Sequence, residues 1–204
     1  MAVDTLILGH SFVNRLDAFC VDNFIQNFAL HHGDVRVSIS GIGGLHVGQM
    51  YSSFNSTVRD VSPRSVILQI GSNDLSDGRC PLSVAHDIVE YVEYLHYDCN
   101  VAHLFVCQML PRYSQHPSGR LWGRWRNGRR TLAEITQDQF HDATFRANHY
   151  VETMLDTTFS SFRTLNTLNT APAYMFYDGT HLDQNGMWRY FREIRGIVMK
   201  SIYV

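Results

Sequence analysis

The sequence lacks features that would assign it to several large classes of proteins. None of its apolar runs is long enough to cross a bilayer, so we expect no membrane span. Its formal net charge of -2 provides no overall basic field that would attract nucleic acid or anionic membranes. Lysine is almost absent: Lys200 is the only one, and the other basic side chains are arginines.

The cysteines and the first residues predict an intracellular, cytoplasmic protein. The cysteines form no CxxC pair and are too sparse for a disulfide scaffold, so we expect free thiols. The segment MAVDTLILGHS has no basic stretch, and its apolar run is too short for a signal peptide. The cysteines are Cys20, Cys80, Cys99 and Cys107.

Short apolar runs alternate with longer amphipathic ones, a pattern typical of βαβ units and a parallel sheet. With 45% hydrophobic residues and no linker-like segment, the chain is expected to form one domain over residues 1–204. Strands are predicted at 5–9, 35–40, 65–71, 101–110 and 173–177. Helices are predicted at 14–30, 46–58, 82–97, 137–158 and 184–202.

Residues 111–131 interrupt this alternation, because apolar periodicity fails there and turn residues accumulate. The segment is predicted to form a long irregular loop that could act as a lid. Its arginines alternate with tryptophans, which suits contacts to phosphates and bases. A lid over a substrate cleft and a charged surface loop are the alternatives. The arginines are Arg120, Arg124, Arg126, Arg129 and Arg130.

In a parallel sheet of this kind, ligands bind at the carboxyl ends of the strands. Ser11 follows the first predicted strand, so its hydroxyl is expected at a helix N-terminus, where unpaired amides favour an oxyanion. Gly41 follows the second strand and Asn73 the third, and both could donate hydrogen bonds to the same anion. The alternatives are that Ser11 only caps a helix and that Gly41 and Asn73 only form turns.

Asp178 and His181 lie three residues apart after the last predicted strand. His181 could take a proton from Ser11, while Asp178 could bond the other ring nitrogen and fix its tautomer. The alternative is an ordinary turn with an exposed histidine. Taken together, the strand ends supply a nucleophile, a base with its acid partner and two anion donors, which predicts acyl transfer.

The same residues resemble the sequence blocks of the SGNH (GDSL-type) hydrolases, in order along nearly the whole chain. LILGHSF resembles the first block, with Ser11 as nucleophile, and SISG resembles the second, with Gly41 as the oxyanion glycine. QIGSND resembles the third block, with Asn73 as the oxyanion asparagine. DGTH resembles the last block, with Asp178 and His181. A narrower resemblance links the chain to SGNH domains encoded in animal genomes, some attached to retrotransposon open reading frames.

The resemblance implies a flavodoxin-like, three-layer α/β/α sandwich with a five-stranded parallel sheet. It also implies a hydrolase without cofactor or metal that cleaves carboxylic, acetyl or thioesters through an acyl-enzyme. The oxyanion would be held by the amides of Ser11 and Gly41 and by the side chain of Asn73. One position departs from the family pattern, because His10 stands where the family usually has Asp before the serine.

Further residues near the strand ends are candidates for substrate contact: His10, Met109, Arg112 and Trp122. Core packing is the alternative for Met109. The histidines show no metal-site spacing, so no metal is expected. The expected partner is a small-molecule or lipid ester, and the expected state is a monomer or weak dimer. A second hypothesis is a catalytically weak binding module that recognises an acylated, glycan or nucleic-acid ligand through the arginine and tryptophan side chains of residues 111–131.

Overall fold

A five-stranded parallel sheet forms the centre of the molecule. The structure is a computed structural model that describes residues 3–30, 35–115, 117–126, 129–169 and 171–204. The strands of this sheet are β1 (Val3–Gly9), β2 (Val35–Gly41), β3 (Ser65–Gln69), β4 (His103–Cys107) and β7 (Ser160–Arg163), and their order across the sheet is β2-β1-β3-β4-β7. An antiparallel hairpin of β5 (Arg120–Arg126) and β6 (Arg129–Thr136) lies outside it.

Helices cover both faces of the sheet, which confirms the predicted three-layer α/β/α sandwich. The helices are α1 (Ser11–Asp22), α2 (Met50–Val61), α3 (Ser72–Ser76), α4 (Pro81–Tyr97), α5 (Gln137–Met154), α6 (Asn166–Asn169) and α7 (Gln184–Ser201). The apolar side chains of α2, α4 and α5 pack on one face, and those of α1 and α7 pack on the other.

The central strands are apolar on both faces because helices bury both. On β1, Leu6 and Leu8 face the layer with α2 and α4, whereas Ile7 faces the layer with α1 and α7. Such strands form continuous apolar runs in the sequence instead of alternating ones. This explains why β1, β3 and β4 could be located from the sequence, whereas β2 is an edge strand in which apolar and polar residues alternate. The structure contains all four of these predicted strands, with ends shifted by a few residues.

The fifth strand was predicted in the wrong place. Residues 173–177 begin with a short 3-10 turn, Ala173–Met175, and the fifth strand is β7, Ser160–Arg163. Pro172 has no amide hydrogen to donate to a ladder, which disfavours a strand there. Met175 and Phe176 are buried in the core below this turn. The edge strand SSFR has little apolar content, so its sequence gives no strand signal.

The predicted helix over 14–30 is also corrected, because α1 begins at Ser11 and ends at Asp22. Left-handed backbone angles at Phe24 and at Asn27, Phe28 and Ala29 are incompatible with an α-helix. The helix predicted at 46–58 begins later, at Met50, after a 3-10 turn over Val47–Gln49.

The predicted irregular loop over 111–131 is in part a hairpin. Its two strands pair in register Arg126↔Arg129 at the tip, with irregularities between Arg120 and Trp122 and between Trp122 and Trp125. Such bulges break the period of two by which a strand is recognised. Most of the predicted arginine and tryptophan contacts lie outside the described side chains, namely those of Trp122, Arg124, Arg126, Arg129 and Arg130.

No helix among the described residues is long and apolar enough to cross a membrane.

The turn that carries Asp178 and His181 is joined to the chain that follows β4. The Tyr113 amide donates to the Gly179 carbonyl at 2.6 Å. Gly179 has a φ of +77°, and a Cβ at this position would lie 2.0 Å from the Tyr113 carbonyl oxygen. Only glycine meets both conditions, because other residues rarely adopt this φ and the space is filled by backbone.

Gly179→Ala should therefore destabilise the protein by about 2 kcal/mol or more, since backbone strain adds to a steric clash. Gly196→Ala is the matched control, because Gly196 lies in α7 with nothing within 4 Å of a new Cβ. The control should be neutral or stabilising by up to about 1 kcal/mol. Urea unfolding measures both. Equal stability of the two variants would contradict the close contact at Gly179.

Candidate active site

Ser11 lies at the carboxyl edge of the sheet, at the first position of α1. It follows β1, the second strand from the β2 edge of the sheet. The His10 amide donates to the Gln69 carbonyl at 3.2 Å, which holds the start of the helix against the end of β3. The Ser11 side chain is half-buried and has the unpaired amides of the helix N-terminus nearby.

His181 joins Ser11 to Asp178 through both of its ring nitrogens. Nε2 lies 3.2 Å from Ser11 Oγ, and Nδ1 lies 2.9 Å from Asp178 Oδ2. A carboxylate only accepts hydrogen bonds, so Nδ1 carries the proton and Nε2 is left to accept the serine hydroxyl. The pair predicted from DGTH is thus formed locally and is brought to Ser11 by the fold.

The carboxylate of Asp178 is held ionised by its neighbours. Burial alone would raise its pKa, but the hydrogen bond from the His181 ring and those from two backbone amides outweigh this effect and hold the pKa well below its usual range. The amides are those of His181 and Thr180, which donate to Oδ1 at 2.7 and 3.0 Å. Oδ1 is thereby occupied, so Oδ2 faces the imidazole.

Two aromatic rings lie beside the imidazole. The Tyr177 ring lies near-parallel to it at 6.2 Å between centroids, and the Phe12 ring lies at the same distance, tilted by 48°. The Tyr177 amide also donates to the His181 carbonyl at 3.0 Å, so the ring and the backbone of this turn are held together. The sequence did not suggest Tyr177, because its contact with His181 depends on the turn.

The two predicted anion donors lie next to the serine segment. Gly41 pairs with Gly9 in the sheet, two residues before Ser11, and a Cβ on Gly41 would lie 2.1 Å from the amide nitrogen of Asn14. The glycine therefore allows β2 to approach the first turn of α1 closely. Asn73 lies in α3 at the end of β3, where its Nδ2 donates to the Leu45 carbonyl at 2.8 Å.

His10 is fully buried, which corrects the prediction that it contacts a substrate. Its Nδ1 accepts a hydrogen bond from the Phe12 amide at 3.4 Å and caps α1, and its Nε2 lies 2.8 Å from Ser72 Oγ. Burial, and after it the nearby charge of Arg112, lowers the pKa of His10 to about 3. A neutral imidazole thus caps the helix.

Arg112 requires a similar correction, because only 5% of its surface is exposed. Its guanidinium does not face a substrate carboxylate but donates to side chains of α3, among them Asn73 Oδ1 at 2.8 Å. The arginine follows β4 and not β3, so only the folded structure shows that it contacts the asparagine segment.

A cavity of about 430 Å³ lies beside the turn that holds His181 and is lined in part by Met109, Tyr113 and His141. Tyr113 connects the cavity to this turn, because it lines the cavity and its amide donates to the Gly179 carbonyl. Substrate contact by Met109 stays a prediction: the residue is nearly buried, yet it lines this cavity.

His86, Asp87 and Glu90 on α4 bring possible metal-ligand atoms within 4.8 Å of one another, although Arg79 already donates to Asp87 at 2.8 Å.

The low pKa of His10 predicts a specific dependence of stability on pH. Between about pH 6.5 and about pH 3 the unfolded chain binds a proton at this residue and the folded protein does not. The free energy of unfolding should therefore fall with decreasing pH through this window, with a contribution of up to about 1.4 kcal/mol per pH unit.

Urea unfolding of the protein and of His10→Asn between pH 7.5 and 4.5 checks this contribution. Asn keeps an acceptor for the helix cap but does not titrate. Stability should depend less steeply on pH in the variant, whatever its absolute value. Parallel pH curves for the two proteins would contradict the assigned pKa.

Comparisons with known proteins support the architecture. Protein-family models and curated proteins provide no match to the sequence. Among solved structures, the chain is similar to a GDSL-like lipase from Bacteroides thetaiotaomicron, with 15% identity, a TM-score of 0.65 and coverage of 98% of this chain and 89% of that one. It is also similar to a catalytic mutant of Axe2, an acetylxylan esterase from Geobacillus stearothermophilus, with 15% identity, a TM-score of 0.64 and coverage of 96% and 93%.

Each of these similarities extends over most of this chain and most of the compared chain. At this identity they establish the fold. The chain therefore has the α/β fold of GDSL-type lipases and esterases.

Proposed function

We propose that the protein is a serine-dependent esterase that cleaves carboxylic, acetyl or thioesters through an acyl-enzyme. The observation that carries this proposal is the hydrogen-bonded series from Ser11 Oγ to His181 Nε2 at 3.2 Å and from His181 Nδ1 to Asp178 at 2.9 Å. This arrangement has the roles of a nucleophile, its base and the group that orients the base.

In the first half of the reaction, His181 Nε2 takes the proton of the Ser11 hydroxyl as Oγ attacks the ester carbonyl carbon. The tetrahedral intermediate collapses, the bond to the leaving oxygen or sulfur breaks, and the imidazolium returns its proton to that atom. Asp178 stays ionised and stabilises the imidazolium. In the second half, His181 takes a proton from a water molecule as its oxygen attacks the acyl carbon. The bond between that carbon and Ser11 Oγ then breaks, the imidazolium returns its proton to Oγ, and the carboxylic acid leaves.

The negative oxygen of the intermediate needs donors that are in place before the reaction. The amides of Ser11 and Gly41 and the Asn73 carboxamide are assigned this role. Gly41 pairs with Gly9, two residues before Ser11, and Asn73 follows Ser72, whose Oγ lies 2.8 Å from His10 Nε2. The positive dipole end of α1 adds to the stabilisation. One donor of this kind typically lowers the barrier by about 3 kcal/mol, so the three together account for a large part of the catalysis.

The substrate is a small-molecule or lipid ester. A cavity of about 430 Å³ lies near the His181 turn, although Ser11, Asp178 and His181 do not line it. Its walls include polar amides and aromatic rings such as Phe145 and Phe162. A lining of this composition suits an acyl or leaving group of mixed polarity. The similar proteins named as a lipase and as an acetylxylan esterase act within the same range of esters.

The narrower link to retrotransposon-associated SGNH domains stays a prediction, as does nucleic-acid binding by the arginines of the hairpin. So does the second hypothesis, a catalytically weak binding module. Turnover separates the proposed esterase from the binding module, because a binding module would not hydrolyse esters in a manner that depends on Ser11.

Ser11→Ala should reduce p-nitrophenyl acetate hydrolysis to background, because the nucleophile is lost. A panel of esters of graded acyl length would then define the preferred substrate. Ser52→Ala is the matched control, since Ser52 lies on α2 and its hydroxyl only donates to the Gln49 carbonyl. Equal rates for the protein and Ser11→Ala would rule out the proposed mechanism.

Asp178→Asn should lower kcat by at least about 100-fold, because an amide facing Nδ1 no longer favours the tautomer with Nε2 free. Asp183→Asn on the same segment is its control. Asp183 caps α7 by accepting from the Gly186 amide at 2.7 Å, and Asn caps a helix equally well. Steady-state kinetics at pH 7.5 compare the two. If both substitutions had the same small effect, Asp178 would have no special role.

A further inference from the structure

The orientation of the Asn73 carboxamide is determined by its two neighbours. Nδ2 lies 2.8 Å from the Leu45 carbonyl oxygen, and Oδ1 lies 2.8 Å from an Arg112 guanidinium nitrogen. A carbonyl can only accept and a guanidinium can only donate, so the amide cannot be flipped. One N–H of Asn73 is thus used by Leu45, and the second remains for the oxyanion.

Arg112 is built into the protein interior below this asparagine. Besides Asn73, it donates to Ser72 Oγ at 3.1 Å and to Ser76 Oγ. These acceptors all lie in α3, so a single guanidinium binds the short helix at several points. Its charged group also lies over the ring of Phe140, 5.3 Å from the centroid. A planar, multi-donor group suits this arrangement better than any other cation.

A chain of polar contacts continues from Arg112 to the segment of the nucleophile. Ser72 Oγ accepts from Arg112 and lies 2.8 Å from His10 Nε2. Because His10 Nδ1 accepts from the Phe12 amide, Nε2 carries the proton and donates to Ser72. The contacts therefore run from the residue before Ser11 through Ser72 and Arg112 to Asn73.

The backbone around Arg112 is bound to the other half of the site. His141 Nε2 donates to the Arg112 carbonyl at 2.7 Å. The next residue, Tyr113, donates its amide to Gly179 in the turn of Asp178 and His181. The segment after β4 thus contacts the asparagine segment through the side chain of Arg112. It contacts the histidine turn through the backbone of Tyr113.

We propose that Arg112 is a positioning residue that holds the Asn73 carboxamide so that its free N–H points to the oxyanion. The proposal rests on the proposed esterase function. Without Arg112, the carboxamide could rotate, and the donor would have to be reoriented during the reaction. Donors are effective because they are oriented in advance, so the loss should appear in kcat and not in substrate binding.

A double-mutant cycle with p-nitrophenyl acetate tests this role, using the protein, Arg112→Met, Asn73→Ala and the double variant. Arg112→Met should lower kcat by about 10- to 100-fold, up to the effect of losing the donor itself, with KM changed by less than about 3-fold. In the Asn73→Ala background it should lower kcat by less than about 2-fold, because no carboxamide is left to orient. Equal losses in both backgrounds would overturn the proposal.

Two further variants control for folding. Arg36→Met removes an exposed arginine that pairs with Asp4, so kcat should not change. If Arg112→Met does not fold by circular dichroism, Arg112→Lys replaces it in the cycle. Lys keeps the buried charge but cannot form the same set of hydrogen bonds. It should also lower kcat only where Asn73 is present, and a loss of the same size in both backgrounds would again overturn the role.

A measurement without turnover separates this inference from the proposed function. If no ester is hydrolysed in a Ser11-dependent manner, the esterase function fails. The positioning role is then tested without a substrate, by observing the side-chain amide of Asn73 directly with 15N NMR. Its signals are assigned by their loss in Asn73→Ala. Hydrogen exchange at this amide should be at least about 10-fold faster in Arg112→Met, because the group becomes mobile. Unchanged exchange would overturn the positioning role.

Discussion

The hydrogen bond between His181 and Ser11 is the contact on which the rest of the site depends. It joins residues 170 positions apart at 3.2 Å, so it exists only if the first strand and the last helix meet at one sheet edge. The parallel topology achieves this, because each strand of the sheet ends on the same side. Burial of the α1 and α7 side chains in a common core holds the two helix starts together.

Beneath this contact lies a buried polar network that includes His10, Ser72 and Arg112. Burying polar groups is costly unless they are hydrogen-bonded, and a guanidinium in the interior is costly unless its donors are used. Ser72 and the other acceptors of α3 provide hydrogen-bond partners for both terminal nitrogens of Arg112, and Ser72 also bonds His10 Nε2. Such a network stabilises a unique arrangement only when its members are satisfied together. His10 is thus held by a network that includes neighbours from two other segments.

Much of the fold could be predicted from the sequence where burial leaves a clear pattern. β1, β3 and α4 are continuous apolar or amphipathic runs, and their positions were predicted closely. The edge strand β7 was missed because one side of it faces no neighbouring strand and its sequence, SSFR, has little apolar content. The hairpin was missed because its bulges break the alternation of side chains. Left-handed angles ended α1 earlier than the apolar pattern suggested.

By itself, the sequence determined the first four strands of the sheet, the long helices between them and the local pair of Asp178 and His181, because these depend on near neighbours in the chain. It also indicated which strand ends carry reactive groups. Only the tertiary structure decided that His10 and Arg112 lie inside the protein and not in a substrate cleft. Their roles depend on hydrogen bonds with segments far away in the chain, and no local pattern of residues records such contacts.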